Sequence, residues 1–138
     1  MHGEKFLEEI EKITQSYSGE YSLLINNPSN LFKLLSNAID EIDLEKTLRL
    51  KTLAVLGYFV LPNDLYPESE LGAKGYIDDI MALIHVLKMI ELEYDISSLT
   101  PLWEGTENDL QEILGVEFKK LIQQESILYN ELLAYLDI

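Results

Sequence analysis

Residues 56–85 of the chain read LGYFVLPNDLYPESELGAKGYIDDIMALIH, and this stretch decides the fold. Two strongly apolar segments flank a middle part that is rich in proline, glycine and acidic residues. Proline and glycine fix special backbone angles, so their density here predicts a shaped loop rather than a slack linker. The pattern therefore predicts two buried helices joined by a loop that runs from Pro62 to Gly75.

The apolar segment before this loop predicts the central helix of the domain. Residues 53–61 are apolar on every side, which is typical of a helix that other helices surround. A buried strand is the alternative, because the run is short and ends in residues that favour strands. A helix is favoured because the pattern from Leu44 onward continues into the run without a turn signal. Asp43 is the predicted N-cap of this helix, and Pro62 terminates it.

The rest of the chain has the periodicity of amphipathic helices, with apolar residues at spacings of three and four. The main stretches begin near Phe6, Pro28, Leu44, Tyr76 and Thr106. Pro28 is expected at the first position of its helix, and Thr106 with Asp109 resembles a capping box. Gly115 predicts a kink or a division in the last helical region. We therefore predict one all-α domain over residues 1–138, a compact bundle of five to six helices.

The charge of the chain argues against several classes of partner. It has 25 acidic and 10 basic residues, for a net charge of −15. An acidic surface repels nucleic-acid phosphates and anionic lipids, so we expect neither nucleic-acid binding nor membrane association. A hydrophobic content of 47% argues against disorder, and no apolar run is long enough to span a bilayer. The charged N-terminus lacks the apolar core of a signal peptide, so a soluble cytoplasmic protein is expected.

The sequence lacks the patterns of most catalytic sites. The absence of cysteine excludes disulfides, thiolate zinc sites and cysteine nucleophiles. The chain has no phosphate-cradling glycine loop, no dinucleotide fingerprint and no nucleophile elbow. His85 is the only histidine beyond the N-terminal tripeptide, and its apolar surroundings favour a satisfied core or boundary residue over a catalyst. These features favour a protein that is not an enzyme and has no organic cofactor.

The residues around the loop resemble the YkvA-like family, a bacterial and archaeal domain of unknown function. That family has the pattern Y-x3-P-x-D-x2-P-D-x2-P-x2-G-Y-x-D-D, and the chain follows it from Tyr58 to Asp79. The chain departs from it at Glu68, where the family has aspartate, by a missing third proline, and by one extra residue before Gly75. The resemblance implies a small, mostly helical domain with no established activity.

Four acidic residues in and after the loop are the candidate site residues: Asp64, Glu68, Asp78 and Asp79. One interpretation is structural, since Asp64 can cap a turn while Asp78 and Asp79 meet the positive end of a helix dipole. The alternative is a cation site, because Mg²⁺, Mn²⁺ and Ca²⁺ prefer clustered carboxylate oxygens. Adjacent helical residues diverge by about 100°, which opposes chelation of one ion by Asp78 and Asp79. We favour capping and keep the cation site as a hypothesis.

The function predicted from the sequence is a non-enzymatic protein-interaction module. Its partner is another protein or a second copy of the chain. The alternative is a cation-binding protein or a cation-dependent enzyme that uses the four carboxylates. Tyr66 and Trp103 lie in predicted connectors, so they are the aromatic residues best suited to a pocket or a partner surface.

Overall fold

A computed structural model of the chain describes residues 2–60 and 76–138, with side chains from Leu7 onward. The backbone in these ranges forms eight α-helices, two short 3₁₀ turns and a π-helical segment, and it contains no strand. The helices are α1 (His2–Thr14), α2 (Ser22–Ile25), α3 (Pro28–Glu41), α4 (Lys46–Val60), α5 (Ile77–Tyr94), α6 (Glu107–Glu112), α7 (Phe118–Gln124) and α8 (Ser126–Leu136). The 3₁₀ turns are Ile96–Ser98 and Thr100–Leu102, and the π segment is Ile113–Glu117. The all-α prediction is confirmed.

Helix α5 is the centre of the fold. It packs against α3, α4 and α8, and its side chains from Ile80 to Ile84 have no access to solvent. A helix with apolar residues around its whole circumference is stable only when other helices cover every side of it. None of the helices in the described ranges combines the length and apolarity needed to cross a bilayer.

The prediction that residues 53–61 form the central helix is wrong in its placement. The segment is helical through Val60, as predicted, but α4 lies beside α5 and leaves Leu53 and Val60 about half exposed. Helix α4 buries one face, which includes Val55 and Tyr58. The second half of α4 and most of α5 are strongly apolar, so composition alone does not tell which of the two helices the others surround.

Three local predictions agree with the structure. Pro28 is the first residue of α3, where its missing N–H leaves no hydrogen bond unmade. The Thr106 hydroxyl caps α6 by accepting a hydrogen bond of 3.1 Å from the Asp109 backbone N–H. The last helical region is divided twice, by the π segment that contains Gly115 and by a break at Glu125. This division and the one-turn helix α2 raise the number of helices above the predicted five to six.

The predicted N-cap of α4 is wrong. Asp43 does not cap this helix, because α4 begins three residues later, at Lys46. The side chain of Glu45 accepts hydrogen bonds from the backbone N–H groups of Thr47 and Leu48 at 3.2 and 2.8 Å. The longer glutamate side chain reaches these first-turn donors from the residue just before the helix.

Candidate functional site

Two of the four candidate carboxyl groups lie within the described residues. Asp78 and Asp79 occupy the first turn of α5, and their relative exposures are 0% and 1%. Neighbouring positions on a helix point about 100° apart, yet both side chains are buried because this end of α5 is enclosed on all sides. The other residues singled out in the loop lie outside the described residues: Pro62, Asp64, Tyr66, Glu68 and Gly75.

Tyr58 holds the carboxyl group of Asp78. The Tyr58 hydroxyl donates a hydrogen bond of 2.6 Å to Oδ2 of Asp78, and both side chains are buried. Tyr58 lies in the last turn of α4, so the bond joins the end of α4 to the start of α5. Such a bond is required here, because burying a polar group without hydrogen bonds costs about 2–7 kcal/mol.

The cation-site hypothesis remains a prediction. Within residues 2–60 and 76–138, no three histidine, aspartate or glutamate side chains are grouped so that they could hold a metal ion. Asp78 and Asp79 supply two carboxyl groups of the predicted set of four. Asp64 and Glu68, the other two, are outside these ranges.

His85 and Tyr129 form a second polar pair. Nδ1 of His85 lies 2.7 Å from the Tyr129 hydroxyl, and the two rings meet edge to face. Burial, together with the charge of Lys51, lowers the pKa of His85 below its ordinary value of 6.5. Burial also raises the pKa of the Tyr129 hydroxyl. Both groups are therefore uncharged at neutral pH, and His85 is the satisfied boundary residue that the sequence predicts.

The sequence did not predict that Tyr129 would pair with His85. It lies 44 positions after His85, and nothing in the local pattern of α8 distinguishes it from the other aromatic residues. Only the tertiary packing of α5 against α8 brings the two side chains together.

Trp103 does not line a pocket or a partner surface, contrary to the prediction. Its side chain is buried, and its Nε1–H donates a hydrogen bond of 2.9 Å to the carbonyl oxygen of Thr106. A buried indole needs a partner for its single donor, and the turn before α6 provides one. Position in a connector was therefore a poor guide to exposure at Trp103.

The outer face of α4 is an apolar surface that the described residues leave open. Leu50, Leu53 and Val60 are 57%, 50% and 49% exposed, and exposed Ala54 lies on the same side. Gly57 continues this side, and a Cβ built on it meets no described atom within 4 Å. Spacings of three and four residues place the five residues in one stripe, which we call the α4 face.

A second exposed surface lies on α8. Ile127 and Tyr135 are 76% and 61% exposed, and Glu131 lies on the same side of the helix. We call these three residues the α8 face. The ring of Tyr135 contacts the ring of Tyr58 with 5.9 Å between centroids, so α4 and α8 are neighbours.

The chain was compared with known protein families and proteins, and the family match lies in α4, α5 and the segment between them. Residues 49–84 match the model of a family described as a protein of unknown function (DUF1232), and they include Tyr58 and Asp78. The uncharacterized protein ORF9 of Methanothermobacter thermautotrophicus is 30% identical over 95 residues, which are 69% of this chain. The match covers 65% of that protein's length. No solved structure matches the chain significantly. The chain thus resembles a family of unknown function in α4, in the first half of α5 and in the segment between them.

Proposed function

We propose that the chain is a cytoplasmic, non-enzymatic protein-interaction module of the YkvA-like type, and that its partner is a second copy of itself. The α4 face carries this proposal. Its three large side chains, Leu50, Leu53 and Val60, are about half exposed on a single stripe of one helix. Single exposed apolar residues are ordinary, but a continuous apolar surface marks a binding site.

Charge favours a second copy as the occupant. Lys46 and Arg49 of α4 lie beside the α4 face, and this helix has no acidic residue, although the whole chain has a net charge of −15. Helix α8 carries Glu131 and no basic residue, and Asp137 follows it. Because the two helices are neighbours, a two-fold axis between two copies can set each α4 face against the α8 face of the other copy. Basic and acidic surfaces would then meet twice, and complementary charge of this kind selects the partner and its register.

Gly57 and Ala54 support close packing of a partner on the α4 face. An interior glycine costs a helix about 0.5–1 kcal/mol relative to alanine. The described structure around Gly57 has room for a methyl group, so packing against the described residues does not explain the glycine. A partner side chain seated on the backbone at Gly57 would explain it.

Sedimentation equilibrium tests the proposal. We expect the mass of the wild-type chain to rise with concentration from 15.9 kDa to twice that value. Leu53→Glu places a charge in the apolar surface, so the variant should stay monomeric at every concentration tested. Leu92→Glu is the matched control, because Leu92 is an exposed leucine on another helix, and it should behave as the wild type does. A wild-type chain that is monomeric throughout, or equal losses in both variants, would contradict the proposal.

The second candidate function is the binding of a divalent cation by Asp64, Glu68, Asp78 and Asp79. The observation that favours it is the burial of Asp78 and Asp79 in the same turn, since two carboxyl groups close together in a low dielectric attract a cation. A binding site of this kind must raise the melting temperature, because the ion binds the native state and not the unfolded chain.

Thermal melts in Mg²⁺, Mn²⁺ and Ca²⁺ test the cation site. If the site exists, a low concentration of one of these ions raises the melting temperature, and Asp64→Asn or Asp78→Asn abolishes the rise. Asp109→Asn, an exposed aspartate in the first turn of α6, is the control and should retain it. A rise no larger than that in sodium chloride of equal ionic strength leaves Asp78 and Asp79 with a structural role only.

A further inference from the structure

A cleft of about 550 Å³ opens beside the His85–Tyr129 pair, between α5 and the C-terminal helices. One wall is a stripe of α5 that runs from His85 past Met89 to Asp95. The helical part of this wall, from His85 to Tyr94, is ten residues long and extends for about 15 Å, and Asp95 follows it directly. The opposite wall is made by Phe118 and Tyr129. The cleft is therefore an elongated groove and lies within the size range of small-molecule sites.

The inner end of the cleft is lined by aromatic rings, and the Lys51 ammonium of α4 lies close enough to help lower the pKa of His85. Tyr129 stands at the centre of three rings, with the His85 ring on one side and the Phe118 ring on the other, each edge to face at 5.8 Å. Because its pKa is lowered, the His85 imidazole is neutral at pH 7 and does not repel a cation. The negative faces of aromatic rings attract ammonium groups and also pack well against apolar groups.

The outer end of the cleft carries a net negative charge. The Lys88 ammonium lies 3.5 Å from a carboxylate oxygen of Glu91, so these two charges offset one another. Asp95 has no such partner among the described residues. Its carboxylate accepts hydrogen bonds from the neutral Ile96 N–H at 2.9 Å and the Ser97 hydroxyl at 3.3 Å. Apolar side chains of Met89 and Leu92 lie on the stripe between the rings and this carboxylate.

We propose that the cleft binds a small amphipathic organic cation, with its apolar part on Met89, Phe118 and Tyr129 and its ammonium group near Asp95. An anionic ligand of the same shape is disfavoured by the carboxylate of Asp95. This ligand site is separate from the α4 and α8 faces and from the first turn of α5, so it does not depend on the function proposed above.

Calorimetric titration with n-alkylamines of four to eight carbons, at constant ionic strength, tests the site. We expect saturable binding of one amine per chain, with affinity rising with chain length because each buried CH₂ group adds favourable transfer free energy. The n-alkanoates of the same lengths should bind far more weakly. Equal binding of amines and alkanoates, or binding of neither, would overturn the proposal.

Two matched variants separate the cleft from the general acidity of the protein. Asp95→Asn removes the charge, keeps an acceptor for the Ile96 N–H, and keeps the size of the side chain at this position, where φ is 72°. It should weaken octylamine binding by about three- to fivefold. Asp137→Asn makes the same change at another helix C-terminus with a positive φ of 55°, away from the cleft, and should leave the affinity unchanged. Equal effects in the two variants would show that the amine responds only to net charge.

Discussion

The Tyr58 hydroxyl and the Asp78 carboxyl group, 20 residues apart in the chain, are joined by a hydrogen bond of 2.6 Å inside the core. The bond links the two helices on either side of the segment from 61 to 75. Both residues belong to the stretch that matches the family model. A polar contact in so apolar a place fixes the relative position of α4 and α5 more narrowly than apolar packing alone would, because its geometry is directional.

Removing this hydroxyl should destabilise the protein. Tyr58→Phe keeps the ring but leaves Asp78 without one hydrogen-bond donor, and we expect the free energy of unfolding in urea to fall by about 1–3 kcal/mol. Tyr135→Phe is the control, since Tyr135 is largely exposed, and it should change the stability by less than about 0.5 kcal/mol. Equal stabilities of Tyr58→Phe and the wild type would show that the bond contributes nothing.

Gly57→Ala should raise the stability of the single chain and weaken its self-association. A methyl group fits the monomer, so the helix propensity of alanine should raise the stability of the single chain by about 0.5–1 kcal/mol. The same methyl group should hinder the partner and weaken self-association, which sedimentation measures. Gly115→Ala is the control on another helix with equal open space, and it should leave self-association unchanged. Stronger association in Gly57→Ala would contradict the close packing proposed at this position.

The stability of the fold should depend on pH through His85. Its pKa is lower in the folded chain than the ordinary 6.5, so the unfolded chain binds a proton more readily. The free energy of unfolding should therefore fall as the pH decreases below 6.5, until the pH passes below the folded-state pKa. His85→Gln should flatten this part of the curve relative to the wild type. Parallel curves for the two proteins would exclude His85 as the cause.

The side-chain cap at the start of α6 should contribute measurably to the free energy of unfolding. Thr106→Ala removes the oxygen that accepts the Asp109 N–H, and we expect a loss of about 1 kcal/mol in chemical denaturation. Thr106→Ser keeps that oxygen and should retain most of the stability. If alanine and serine were equivalent at this position, the hydroxyl would not be acting as a cap.

Local features of the structure followed from the sequence because their causes are local. Pro28 and Thr106 determine helix starts through groups within three residues of themselves, and such groups can be read from the sequence. The periodicity of apolar residues gave the positions of the long helices for the same reason. Asp43 failed as a cap because α4 begins only at Lys46, where the Glu45 side chain accepts hydrogen bonds from the first-turn N–H groups.

The features that concern function depend on tertiary packing, so the sequence predicted them less well. Both α4 and α5 contain strongly apolar segments, and only the packing of the helices decides that α5 is central and that the described residues leave the α4 face open. The His85–Tyr129 pair joins residues that no local pattern relates. Asp78 and Asp79 do lie in the first turn of a helix, as predicted, but their complete burial was not foreseen, and the four-carboxylate site itself stays a prediction.

The π segment at Ile113–Glu117 determines the direction in which the side chains of the following helix point. A π turn bonds residue i to residue i+5 and so takes up one residue more than an α turn, which amounts to about 100° of rotation. A regular α-helix from Glu107 onward would point Phe118 away from the ring of Tyr129 that it now meets. Because of this extra rotation, one nearly continuous stretch of helix contributes to two places. Leu110 and Ile113, before and at the start of the π segment, are buried in the core, and Phe118, after it, lines the aromatic end of the cleft.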